Sequence, residues 1–248
     1  MTNSVDYAFL HGGGQGGWVW SETITALHQQ AGGRSIRSVT LEIPGCGSKR
    51  GRDTTTMDLN GIVAELVADL TATGFKDIIL VGHSQAGNVL PRLAEKLTGL
   101  LRRLVYVSCA IPLPGQTMLQ MIGTGPQGSN PDEVGWPFDP KVVEGRERYR
   151  LMFCNDMPEA QASSFLANLG QDAWPRQTYA ATDWHDRPRN NISTTYVVCL
   201  KDQILPVLWQ ETFAARFKAQ RLVRIDAGHQ VMNTRPQALA EVLHHEAS

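Results

Sequence analysis

Cysteine is scarce in this chain of 248 residues, and the four present, Cys46, Cys109, Cys154 and Cys199, show no C-x-x-C spacing. That pattern favours reduced thiols over a disulfide framework or metal ligands. Cys109 and Cys199 fall in or beside strand-like runs and are expected to pack there. An excess of one charge is also lacking, since 23 Lys and Arg against 24 Asp and Glu leave a net −1. Such a balance gives no electrostatic footprint for nucleic acid or an anionic membrane. No apolar run is long enough to span a bilayer, and residues 1–6 carry no basic stretch with an apolar one behind it. A cytosolic protein is the expectation. Internal repeats and low-complexity tracts are absent, and strand-like runs are missing between about residues 111 and 190.

Elsewhere, 42% hydrophobic residues supply a sizeable core, and apolar runs alternate with helical patterns as in a parallel α/β sheet. Strands are predicted at residues 5–10, 35–41, 78–81, 101–108, 196–200 and 222–225. Leu59, Ile62, Val63, Leu66, Val67 and Leu70 recur at helical spacing, with Gly74 placed to end that helix. Residues 21–31, 206–217 and 236–245 are further helix candidates, two of them opening on proline. A helix is also expected after Ser84, and Pro91 within it should produce a kink.

The run Gly82-His83-Ser84-Gln85-Ala86-Gly87 lies where a strand passes into a helix, the corner that lifts a serine hydroxyl clear of the backbone. It departs from G-x-S-x-G at Ala86, where alanine is the next smallest residue. A serine needs a base and an acid to orient it. His229 follows the run at 222–225, and Asp202 follows the run at 196–200. In a parallel sheet the carboxyl ends of strands share one edge, so these groups can converge. Asp183, Asp186 and Asp226 are rival acids. His11 and His83 are expected to shape loops, and Ser21 to cap the first helix. His244-His245-Glu246 reads as a frayed polar terminus, because adjacent residues on a helix do not share a face.

Upstream, a strand runs into His11-Gly12-Gly13-Gly14-Gln15-Gly16-Gly17-Trp18. Glycines let backbone N–H groups approach a ligand closely, as an oxyanion hole requires. Gly12, Gly14 and Gly17 with Glu42 also satisfy the form of a dinucleotide-binding fingerprint, and a merely flexible loop is the third reading. In the hydrolytic reading the donors are the N–H groups of Gly13 and Gln85.

Residues 111–190 hold repeated prolines together with Trp136, Phe138, Phe153, Phe165, Trp174, Tyr179 and Trp184. An insertion of this kind lying over the sheet edge would act as a lid with an apolar wall. The expected core is therefore residues 1–110 and 191–248, with 111–190 as an inserted cap. Gly12, Trp136, Phe153, Trp174 and Trp184 are the candidate substrate-binding residues. Arg146, Arg148 and Arg150 alternate in a way that spreads them around a helix, and a solvated surface is expected for them.

These motifs resemble the α/β-hydrolase superfamily, and within it the group of plant methyl esterases, hydroxynitrile lyases and bacterial carboxylesterases such as pyrethroid hydrolases. The resemblance spans nearly the whole length. It rests on His11-Gly12 with Gly17-Trp18-Val19-Trp20, on Pro44-Gly45-Cys46-Gly47-Ser48, on Gly82-His83-Ser84 and on Leu104-Val105-Tyr106-Val107 running into Pro112. It also rests on Cys199-Leu200-Lys201-Asp202 with Pro206, and on Gly228-His229 with Met232 and Pro236-Gln237-Ala238-Leu239. It implies an α/β-hydrolase fold, a mostly parallel doubly wound sheet, with Ser84 as nucleophile, Asp202 as acid, His229 as base, and Gly13 and Gln85 as oxyanion donors. The lyases of the group carry threonine where Gly12 stands and lysine where Gln230 stands, so hydrolysis is the expectation. The expected substrate is a small to medium, uncharged, apolar or aromatic carboxylic ester cleaved through an acyl-enzyme, without metal or organic cofactor. Lactone or carbon–carbon hydrolysis by the same residues, or a ligand receptor on the same fold, are the alternatives. Self-association into a homo-oligomer is left open.

Overall fold

A computed structural model describes residues 4–186 and 192–247, so the expected cap-to-core boundary at 190/191 lies outside the described residues. Six strands form one sheet: β1 (Ser4–Leu10), β2 (Ser35–Leu41), β3 (Ile78–His83), β4 (Leu101–Val107), β5 (Ser193–Cys199) and β6 (Arg221–Ile225). Their order is β2-β1-β3-β4-β5-β6, and every neighbouring pair is parallel. The chain winds outward from β1 to β2 and returns to the other side of β1 as β3. The carboxyl ends of β1 and β3 therefore flank the point where the winding reverses, which is where open α/β sheets bind ligands.

The helices are α1 (Ser21–Gln29), α2 (Leu59–Ala72), α3 (Leu90–Lys96), α4 (Met118–Ile122), α5 (Gly145–Phe153), α6 (Glu159–Asn168), α7 (Gln177–Ala180), α8 (Val207–Arg216), α9 (Val231–Thr234) and α10 (Pro236–Glu246). The central strands β1, β3, β4 and β5 are buried over most of their length because both sheet faces are covered. Ala8, Leu80, Leu104, Tyr106 and Tyr196 meet α2, α3 and α8 on one face. Phe9, Ile79, Val81, Val105 and Val197 meet α1 and α10 on the other. Asp58 caps α2 by accepting from the Gly61 N–H at 2.8 Å, and Gly74 follows the helix at φ 67°, a left-handed turn that glycine adopts without a Cβ penalty.

Three local expectations change. No α-helix begins at Ser84. A 3-10 turn, Ser84–Asn88, comes first, and Pro91 then falls in the first turn of α3. A helix's first turn has no intrahelical partner for its N–H groups, so proline costs nothing there and no interior kink arises. Ser21 is the first residue of α1 and makes no capping bond, because a 3-10 turn, Gly17–Trp20, feeds directly into the helix. The carboxyl-terminal helix is anchored: Glu246 is 1% exposed and pairs with Arg103 at 2.9 Å and Arg221 at 2.5 Å.

Within 111–186 the described residues add helices α4 to α7 and no strand of the sheet. This segment grips the glycine loop after β1. The Gly170 N–H donates to Gly14 O at 3.2 Å, and Trp174 Nε1 donates to Gly12 O at 3.1 Å. All four cysteines are free and buried, and burial pushes the Cys109 and Cys199 thiols up, away from reactivity. No helix among the described residues is long and apolar enough to cross a membrane.

Candidate active site

The corner after β3 is set by close packing. A Cβ on Gly82 would run into the Leu90 side chain and lie 3.0 Å from the Ala86 methyl, and one on Gly87 would run into the Ala110 carbonyl. Gly82 and Ala86 thus face each other at a spacing that accepts one methyl group and not two. This is why alanine suffices in the fifth position. Ser84 is held at φ 54°, a left-handed conformation that costs a non-glycine residue about 1–2 kcal/mol. Its carbonyl accepts from the Ala110 N–H at 3.2 Å, which helps to hold the strained turn.

Three strand ends converge on this serine. His229 Nε2 lies 3.0 Å from Ser84 Oγ, and His229 Nδ1 lies 2.6 Å from Asp202 Oδ2. His229 is 0% exposed and Asp202 6%. The Asp202 carboxylate is fixed on both oxygens. Oδ1 accepts from the Ile204 and Leu205 N–H groups at 2.8 and 2.9 Å, and Oδ2 also accepts from Ser108 Oγ at 2.5 Å. With Asp202 Oδ2 placed as its acceptor, the imidazole carries its proton on Nδ1. Nε2 is then left to accept from the serine hydroxyl. Two of the rival acids are engaged elsewhere: Asp226 pairs with Lys201 at 2.7 Å on the surface, and Asp183 pairs with Arg92 at 2.6 Å.

The other two histidines of the region hold the loops. His83 Nε2 donates to the His229 carbonyl at 2.9 Å, and burial with His229 beside it keeps its imidazole neutral, well below the usual range. His11 bridges two segments, Nδ1 donating to Gly12 O at 2.9 Å and Nε2 accepting from the Ile43 N–H at 3.3 Å. Complete burial lowers its pKa to about 4, so Glu42 at 3.4 Å faces a neutral ring and not a cation. Glu42 instead accepts the Gly17 N–H at 3.0 and 3.1 Å with its two oxygens. It is committed to the glycine loop, and this removes the acidic residue that the dinucleotide reading needs for a ribose.

A pH dependence of stability follows. The unfolded His11 imidazole takes up a proton near 6.5 and the folded one only near 4. Between those values the unfolded chain binds more protons, so the stabilisation present above pH 6.5 is lost as pH falls toward 4, by about 3 kcal/mol for this group. Urea titrations at intervals from pH 7.5 to 4.5 should show the loss, and His11→Gln should flatten the curve relative to wild type. Equal slopes for the two proteins would contradict it.

Above Ser84 opens a cavity of about 510 Å³. Its wall is largely apolar, with Met118, Met121, Met152, Trp136, Phe153 and Trp174 among the lining side chains and Gly13, Ser84 and Gln85 at its base. Phe153 also stacks edge-on against His229 at 5.9 Å. Gly12 and Trp184, both expected in the wall, do not line it. Gly12 sits behind the serine, where a Cβ would be 2.9 Å from Ser84 Cβ, and Trp184 is buried in the core with Nε1 donating to Gln116 O at 2.6 Å. Arg148, expected on the solvated surface, is turned inward. It lines the cavity over the Trp136 ring at 5.8 Å and donates to Pro140 O and Val143 O, while Arg150 stays exposed beside Glu147. Sequence reading also missed Ser108, whose signal is its position at the end of β4, next to the strand that delivers Asp202. The methionines of the wall carry no motif at all.

The sequence profile of the alpha/beta hydrolase family matches residues 8–242. Over 249 residues the chain is 27% identical to the carbendazim hydrolyzing esterase of Nocardioides sp. (strain SG-4G), covering 96% of this chain and 98% of that one. It is 23% identical over 230 residues to the pheophorbidase of Raphanus sativus, covering 88% and 84%. Among solved structures it is similar to a pyrethroid hydrolase from Sphingobium faniae JZ-2, with a TM-score of 0.73, 20% identity and coverage of 98% and 97%. A methylesterase from Arabidopsis, MES16, matches with a TM-score of 0.73, 21% identity and coverage of 97% and 98%.

Proposed function

This chain belongs to the alpha/beta hydrolase family, and from that premise we propose that it is a serine-dependent carboxylic ester hydrolase working through an acyl-enzyme. Its esterase relatives support ester hydrolysis in general. The observation that carries the finer reading is the hydrogen-bonded chain Asp202–His229–Ser84 at the base of an apolar cavity. In this mechanism His229 Nε2 takes the Ser84 proton as Oγ attacks the ester carbonyl, and Asp202 stabilises the imidazolium that forms. The developing oxyanion is held by the backbone N–H groups of Gly13 and Gln85. His229 returns the proton to the departing alcohol, and the same base then activates water to release the acid. Segment 111–186 acts as the cap that excludes water, and Trp136, Phe153 and Trp174 supply the wall against which an apolar or aromatic group packs.

The experiment is a panel of p-nitrophenyl acyl esters, lactones and β-diketones, run before and after exhaustive dialysis against a chelator. Turnover of the esters, undiminished by dialysis, is expected, because the triad supplies both nucleophile and proton transfer. Turnover confined to diketones, or lost with the chelator and restored by a metal, would overturn the reading.

A further inference from the structure

The residue after the serine carries an unusual amount of unused chemistry. Gln85 is 7% exposed, lines the base of the cavity, and lies across the glycine loop so closely that a Cβ on Gly13 would run into its Oε1. That oxygen accepts from Tyr179 Oη at 3.3 Å. Tyr179 is itself a cavity-lining residue, and burial raises its pKa so that the phenol keeps its proton. With the amide oxygen occupied, Nε2 is left as a buried donor with no partner among the described residues. A buried amide N–H₂ without an acceptor is costly, so a site that keeps one gains by meeting a ligand atom that accepts from it.

On the reading that Ser84 attacks an ester, we propose that the Gln85 side-chain amide selects esters whose acyl chain carries a hydrogen-bond acceptor close to the scissile carbonyl, with Tyr179 as the residue that positions it. The acceptor is an ether, carbonyl or ring-nitrogen atom one or two bonds from that carbonyl, because Gln85 directly follows Ser84 and its amide overlies the Gly13 loop. The preference arises from both sides. A ligand with the acceptor satisfies Nε2, and one without it leaves that donor buried and unpaired. The backbone N–H of Gln85 serves the oxyanion whatever the side chain, so the two roles separate on substitution.

A matched pair of substrates reads the effect directly. p-Nitrophenyl methoxyacetate and p-nitrophenyl butyrate have the same chain length and differ by an ether oxygen in place of a methylene. The ratio of their kcat/KM values, divided by the ratio of their alkaline hydrolysis rates, is compared in wild type, Gln85→Met, Gln85→Glu and Tyr179→Phe. Wild type should favour the methoxyacetate by about 10-fold or more, the scale of one buried hydrogen bond. Gln85→Met should bring the ratio to about 1. Gln85→Glu keeps an acceptor for Tyr179 and removes the donor, so it should invert the ratio, and Tyr179→Phe should lower it part of the way. A ratio that is the same in all four proteins, or a uniform loss on both esters with the ratio kept, would overturn the proposal. Thermal stabilisation by N-phenyl methoxyacetamide against N-phenylbutanamide, neither requiring turnover, gives a second readout. A Gln85-dependent preference there in a protein that cleaves no ester would leave the donor assignment standing and the esterase reading fallen. Ester turnover with no Gln85-dependent preference in either assay would do the reverse.

Discussion

Asp202→Asn is expected to lower kcat by about 10⁴-fold with little change in KM, while the protein folds normally. The argument rests on which amide atom faces which partner. The introduced asparagine would keep its oxygen toward the Ile204 and Leu205 N–H groups, since the flipped amide would set N–H₂ against two N–H donors. Its nitrogen therefore takes the place of Oδ2 and faces His229 Nδ1 and Ser108 Oγ. The Ser108 hydroxyl can rotate to accept. The imidazole can accept only by moving its proton to Nε2, and a protonated Nε2 cannot take the proton of Ser84. The geometry would survive and the base would not. Steady-state kinetics with circular dichroism of both proteins check this, with Asp226→Asn as the comparison. Asp226 sits on the surface against Lys201, so its substitution should leave kcat within about 2-fold, in line with an exposed ion pair. A large loss in Asp226→Asn, or a small one in Asp202→Asn, would assign the acid wrongly.

The parts of this molecule legible in the sequence are those fixed by strand boundaries. Ser84, Asp202 and His229 each follow an apolar run, and parallel strands bring such ends to one edge whatever lies between them. Their convergence therefore follows from pattern alone. What the pattern could not carry is decided by packing between distant segments. Pro91 reads as a kink only if the helix begins at Ser84, and the 3-10 turn that delays it is imposed by the contacts of Gly82, Ala86 and Gly87. Glu246 looks solvated until Arg103 on β4 and Arg221 on β6 meet it, two strands that the sheet places nearby. Arg148 turns inward because the carbonyls at Pro140 and Val143 and the Trp136 ring receive it there. Aromatic content told of a wall without saying which rings form it. Trp174 braces Gly12 and still lines the cavity, whereas Trp184 is consumed by the core. Ser108 carries no motif, and only the adjacency of β4 and β5 makes it the second donor to Asp202 Oδ2.

The central claim is that Ser84 becomes covalently acylated, and its removal should have an effect of the same order as the loss of Asp202. Ser84→Ala removes the hydroxyl proposed to attack and leaves the Gly13 and Gln85 N–H groups and the cavity in place, so kcat should fall by a factor on the order of 10³ or more. Alanine at φ 54° relieves no strain, and the fold should be unchanged. The most direct measurement is peptide mass spectrometry after reaction with an aryl-leaving alkylphosphonate, which mimics the tetrahedral intermediate and stays on the attacking oxygen. One phosphonyl group per chain is expected on the peptide containing Ser84, with ester hydrolysis lost in parallel and no adduct in Ser84→Ala. A stoichiometric adduct on any other residue, or full hydrolytic activity in Ser84→Ala, would contradict the account.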